Sequence, residues 1–204
     1  VYGCLEGFLA AKNSYSVPVL AVFDNEETGS LTKQGADSTF LEEVLKRISL
    51  ASGKDEEGHY RAVASSFMVS ADNAHAVHPN HPEKADPINR PMINKGIVIK
   101  FNAAQHYTTD AVSCAVYRDL CESNDIPVQV FTNRSDTRGG STLGNVSNAH
   151  VSLNTVDIGL AQLAMHSCYE TVGARDTKHL VDAMTVFYSK TFRVDAGGSF
   201  ELLD

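Results

Sequence analysis

"VPVLAVFDNEETGS", residues 17–30, is an all-apolar run that ends in two adjacent glutamates and a glycine. A short, uncharged, valine-rich run is what a strand buried on both faces requires. Glu26 and Glu27 follow where that strand should stop. Adjacent like charges repel, and neither is cheap to dehydrate. Water or a metal ion has to compensate. The stretch therefore predicts a buried strand whose carboxyl end delivers charged groups.

The same grammar recurs along the chain. "YRAVASSFMVS" (60–70) holds a second strand and runs out into "ADNAHAVHPNH". "IVIKF" (97–101) is a third, with Lys100 near its end. "IPVQVFTN" (126–133) and "TVDIGL" (155–160) complete the set. Between them lie helical periods: 2–12, where Leu5, Phe8 and Leu9 share a face; 39–51, with Asp37 or Ser38 as the cap; 108–125; and 177–192. "RSDTRGGSTLGN" is a glycine-rich loop, and the tail "RVDAGGSFELLD" carries no clear pattern. Alternating strands and helices predict an α/β fold, a three-layer α/β/α domain with a mixed, largely parallel central sheet. In such sheets ligands bind beyond the carboxyl ends of the strands. Glu26 and Glu27, Asp72 and His75, and Lys100 all follow or close strands, which predicts that they meet at one edge of the sheet.

Bulk properties narrow the function classes. The 204 residues suffice for one domain with a core, and the net charge of -8 argues against a nucleic-acid partner. No apolar stretch approaches the ~18 residues of a membrane helix. Cys4, Cys114, Cys121 and Cys168 form no CxxC pair, and Cys114 and Cys121 read as buried thiols two helical turns apart. A reducing, cytoplasmic setting fits. Residue 1 is Val, and "VYGCLEGFLAAK" reads as helix with no cap before it, which predicts a chain that starts inside a longer protein.

Glu26, Glu27, Asp72 and His166 offer the carboxylates and imidazole that zinc takes in hydrolases. One glutamate can bind metal while its neighbour points elsewhere and takes a proton from water. The residues alone leave plain alternatives open: a solvated loop for the glutamates, a turn cap for Asp72. His78 and His81 read as loop residues, and His59, His150 and His179 as surface residues.

"FDNEETGS", "SADNAHAVHPN", "NKGIVIKFNAAQHY", "RSDTRGGSTLG" and "DIGLAQLAMHS", in that order, resemble the aspartyl aminopeptidase and aminopeptidase I family of dinuclear zinc exopeptidases, from about residue 2 to about residue 190. The resemblance implies Glu26 as general base, Glu27 and His166 as ligands of one zinc, and Asp72 as a ligand of the other. It implies substrate contacts from His75, Lys100 and Tyr107. It also implies cytosolic action on peptides and a homo-oligomer, dimers building a dodecamer. The family's upstream histidine, bridging aspartate and inserted dimerisation domain find no match here. That predicts that residues 1–204 are the carboxyl-terminal part of a single catalytic domain. Two departures stand out: His106 occupies a position where the family often has Arg, and Tyr169 replaces an Arg after "MHS".

Three functions follow as expectations. The first is a metallo-aminopeptidase for acidic or neutral N-terminal residues, Lys100 suiting an acidic one by charge pairing. The second is a non-catalytic truncated paralogue or fragment acting as a binding or assembly subunit. The third, a deacylase or carboxypeptidase on a related scaffold, fits the "AMHS" and "DNEETGS" contexts less well.

Overall fold

A computed structural model describes residues 1–13, 15–195 and 197–203. Helix α1 (Tyr2–Ala10) is followed by a long irregular segment, then α2 (Phe40–Ala51) and α3 (Glu56–Ala64). Strands β1 (Phe67–Ala71) and β2 (Ala74–His75) precede β3 (Ile97–Phe101), α4 (Ala111–Glu122) and β4 (Val128–Thr132). Helix α5 (Leu143–Asn148), β5 (Asn154–Gly159), β6 (Ala161–Leu163), β7 (Thr171–Val172), α6 (Ala174–Ser189), β8 (Thr191–Val194) and β9 (Phe200–Leu203) complete the order. No helix among the described residues is long and apolar enough to cross a membrane.

The central sheet has the order β1-β5-β3-β4. β1 runs parallel to β5, and β3 parallel to β4, while β3 and β5 are antiparallel. The sheet is mixed and largely parallel, as the sequence predicts. A second sheet, β2-β6-β7, and the hairpin β8-β9 flank it.

Alternation along the strands divides the two faces of the central sheet. Ile97, Ile99, Val156 and Ile158 point into one core with Tyr117 and Leu120 of α4 and Leu180, Met184 and Phe187 of α6. Each buried aliphatic side chain there contributes about 1.5–3 kcal/mol, far more than an exposed pair such as Lys46–Glu56. Val98 faces the other way, into a smaller cluster with Ala74, Tyr107, Phe131 and Ala161. Lys100 shares that second face. Helix α1 lies on α6, and α5 contacts β1 and β5, so helices cover both faces.

Several local expectations need correction. Residues 17–23 form no strand. An apolar run becomes a strand only with a ladder partner, and none of the described strands pairs with it. It is instead irregular chain: Leu20 packs on the main core, the Val19 carbonyl accepts from the Tyr188 hydroxyl at 3.3 Å, and Val17 and Val22 are exposed. The amino half of 60–70 belongs to α3, capped by Asp55, whose side chain accepts from the Gly58 N–H. Thr39, not Asp37 or Ser38, is the N-cap of α2; Asp37 pairs with His150 at 2.8 Å. The tail forms a hairpin because Phe192 and Phe200 pack on Phe67. His59 is buried, 3.0 Å from the Ser49 hydroxyl, and His179 faces Asp176, so neither is a plain surface residue. Cys121 is buried as expected, Cys114 only half so.

One glycine fixes how the two sheets join. Gly159 ends β5 with its α-carbon pressed against the Asp72 carbonyl oxygen, where any Cβ would intrude. Gly159→Ala is expected to destabilise the protein by about 1–3 kcal/mol, read from urea unfolding. Gly140→Ala, where a Cβ meets open space, should change stability by less than about 0.5 kcal/mol.

Candidate functional site

A cleft of about 1030 Å³ opens on the second face of the central sheet. Glu26, Glu27, Asp72, His75, Lys100, Tyr107 and His166 all line it. The sequence therefore names seven residues, spread over residues 26–166, that the fold gathers into one cavity. They do not meet at a common carboxyl edge. Because β3 runs against β1 and β5, the end of β1 lies beside the middle of β3: Ala71 pairs with Ile158, and Ile158 with Ile99.

The glutamate pair sits on a turn closed at its base by the Asp24 N–H donating to the Gln34 carbonyl at 3.0 Å. Asn25 adopts φ 59°, and its carbonyl accepts from the Thr28 and Ser30 N–H groups. The left-handed conformation at a non-glycine residue is tolerated because an asparagine side chain bonds locally, here to the Thr32 hydroxyl at 2.9 Å. Glu26 is half-buried. Its carboxyl pKa is raised, first by loss of water and then by the negative charges of Asp72 and Glu27. Glu27 points outward and meets His166, with Oε2 3.0 Å from Nε2. Both side chains are about two-thirds exposed (70% and 66%), so the contact contributes little to stability and stays open to a ligand.

His166 is itself strained, with φ 66°, and Ala164 two residues earlier has φ 56°. Glu170 holds the bend by accepting the His166 N–H at 2.6 Å. Backbone strain of this kind collects at functional sites, where the surroundings over-determine it.

Asp72 continues β1, its N–H donating to the Ile158 carbonyl at 3.0 Å. Lys100 is 1% exposed, yet its ammonium is not alone. Nζ donates to the Asp72 carbonyl at 2.9 Å, lies 3.4 Å from Asp72 Oδ2, and stands 5.1 Å from the centre of the Tyr107 ring. Burial lowers the Lys100 pKa, with Asp72 and Asp157 opposing that shift. Burial likewise raises the Tyr107 pKa, which keeps the phenol protonated. His75 lies at the wall of the cleft, where loss of water, and then the positive charges of His166 and Lys100, lower its pKa.

These donors fit zinc in kind, and Glu27 and His166 fit it in spacing. Asp72 stands apart from that pair, tied to Lys100. Among the described residues no three His, Cys, Asp or Glu side chains converge as a metal cluster. Asn73 and Gln162, which no motif chemistry singles out, bond each other through their side chains at 2.5 Å beside the cleft. Glu170 follows the Tyr169 departure in "CYE", but the positive φ at His166 leaves no trace in the sequence, so the bond that Glu170 makes to the His166 N–H is not legible there. Asp157 is a charge inside the apolar run "TVDIGL", and a charge so placed needs buried partners.

Lys100→Met is expected to cost about 1–3 kcal/mol, because the Asp72 carbonyl loses its buried donor. The measurement is the urea midpoint of the variant against the parent.

Residues 1–188 match the family described as Aminopeptidase I zinc metalloprotease (M18). A protein from Clostridium acetobutylicum described as a probable M18 family aminopeptidase 2 is 52% identical over 189 residues, 93% of this chain and 44% of that protein. The crystal structure of an M18-family aminopeptidase from Thermotoga maritima superposes with a TM-score of 0.81 at 26% identity, covering 92% of this chain and 43% of that one. The mApe1 dodecamer of S. cerevisiae gives 0.74 at 29% identity, covering 92% and 43%. The chain thus spans less than half the length of these relatives. It belongs to the aminopeptidase I zinc metalloprotease (M18) family.

Proposed function

We propose that these residues form part of the active site of a zinc aminopeptidase that removes the N-terminal residue from peptides. The observation that carries this reading is the exposed Glu27–His166 contact, 3.0 Å long, on the cleft that also holds Glu26 and Asp72. Glu27 and His166 would hold one zinc ion, and Asp72 would contribute to a second. Bound zinc supplies Lewis acidity at the scissile carbonyl and makes water acidic enough to ionise near neutral pH.

The chain's own groups do the rest. A Glu26 carboxylate oxygen takes the proton from the attacking water and returns it to the departing amine. His75, at the cleft wall, donates an N–H to the carbonyl oxygen as charge grows there. Tyr107 and Lys100 shape the pocket for the first side chain. Lys100 is committed to Asp72 and carries its charge from below the wall, which suits a neutral first residue as well as an acidic one. The activity is that of the whole protein containing these residues. A homo-oligomer, with dimers building a dodecamer, takes its support from the dodecameric relative as regards the dodecamer alone, and a cytoplasmic setting is in keeping with the free cysteines among the described residues.

One observation favours a second reading, a non-catalytic binding or assembly subunit: the described residues converge on no three-ligand site. Zinc per protomer, measured on protein of recorded intact mass, separates the two. Two zinc ions and release of N-terminal residues from peptides support the enzyme; no zinc and no turnover support the subunit.

Glu26→Gln is expected to lower kcat by about 10²–10⁴-fold while zinc is retained. Undiminished turnover would remove Glu26 from its role. Glu170→Ala frees the His166 backbone and is expected to weaken zinc binding by about 10–100-fold, read by competition with a chelator.

A further inference from the structure

Asp157 lies inside β5 and is fully buried. A carboxylate so placed needs strong hydrogen-bond donors to offset the loss of water. It finds them on two separate loops. Oδ2 accepts from the Thr108 N–H at 2.6 Å and from the Thr108 hydroxyl at 2.7 Å. Oδ1 accepts from the Thr142 hydroxyl at 2.9 Å. Its own backbone N–H donates to the Thr109 hydroxyl at 2.8 Å.

The partners are informative. Thr108 directly follows Tyr107, and Thr142 closes the glycine-rich loop that begins after Arg134 and includes Gly139 and Gly140. Tyr107, Gly139, Gly140 and Thr142 all line the cleft. Gly144 lets the glycine-rich segment settle this deeply, since a Cβ there would stand 2.7 Å from Asp157 Oδ1. Two walls of the cleft, far apart in sequence, thus rest on the two oxygens of one carboxylate.

We infer that Asp157 is a positioning residue that locks the Tyr107 segment and the glycine-rich loop into one register, so that both walls meet the peptide together. Its kinetic consequence rests on the aminopeptidase reading; its structural consequence does not. Asparagine at this position keeps one acceptor oxygen for Thr108 and replaces the charge-assisted bond from the Thr142 hydroxyl with a neutral one in which that hydroxyl accepts, so the anchor of the glycine-rich loop weakens and the register loosens.

The test uses the whole zinc-loaded protein. Asp157→Asn is expected to speed amide hydrogen exchange about tenfold across 106–109 and 139–143, with β1 and β3 unchanged. KM for a peptide should rise about tenfold with zinc content and kcat nearly unchanged, as expected when positioning alone is lost. Thr142→Val should reproduce the rise in KM, and Thr142→Ser, which keeps the hydroxyl, should not. Exchange that quickens uniformly over the sheet, or loops that exchange as in the parent, would overturn the inference. So would equal KM values for Thr142→Val and Thr142→Ser. If Asp157→Asn does not fold, the Thr142 pair decides. If the parent protein has no peptidase activity, the function reading fails, and the exchange pattern of the two loops still decides the role of Asp157.

Discussion

The antiparallel contact between β3 and β5, with Val98 opposite Gly159 and Ile99 opposite Ile158, is the constraint on which the site depends. In a purely parallel sheet the ends of β1 and β3 would lie on one edge, and Lys100 would end up beside other strand ends. With β3 reversed, the chain leaving β1 passes the middle of β3. Asp72 then crosses above Lys100, close enough for the ammonium to bond its carbonyl at 2.9 Å. Gly159 makes the crossing possible by presenting no side chain to that carbonyl. The result is a site on a sheet face, roofed by loops, with a buried cation beneath a half-exposed carboxylate.

Charge in this site is arranged in layers. Lys100 and Asp157 lie in the sheet, withdrawn from water, and are stabilised by fixed partners. Above them Glu26, Asp72 and His75 border the cleft. Outermost are Glu27 and His166, paired with each other but still mostly in solvent. Groups at different depths feel different environments, and this sets their chemistry apart. Burial and neighbouring negative charge raise the Glu26 pKa, which makes its carboxylate a stronger base, and burial lowers the His75 pKa. The outermost pair remains free to change partners. Strain is kept at the same outer layer, at Asn25, Ala164 and His166. Rigid strands below and over-determined turns above hold the residues of the cleft in fixed relation.

Much of this was legible in the sequence. Ile97–Phe101 reads as a strand because it is short, apolar and β-branched, and no helix period competes with it. Helix α4 reads clearly because its apolar residues recur at helical spacing, and the structure adds a capping box of Asp110 and Ser113 at its start. The seven named site residues that line the cleft all fall in ordered motifs of the sequence, since chemistry constrains residue type and local spacing together. Residues 17–23 misled because composition reports burial and β-propensity but not the presence of a ladder partner. The tail misled in the other direction: its hairpin is held by Phe67, far away in sequence.

The sequence by itself determined the fold class, the two-faced character of the strands and the identity of the charged groups, because these follow from side-chain chemistry and local period. Tertiary structure alone decided which groups touch. The pairing of Glu27 with His166, the hold of Glu170 on the His166 backbone, the burial of Lys100 under Asp72 and the sharing of Asp157 between two loops all depend on strand direction and register. A one-residue slip would turn those side chains to the opposite face. Register is set by the whole sheet and its two cores, so no short stretch of sequence records it.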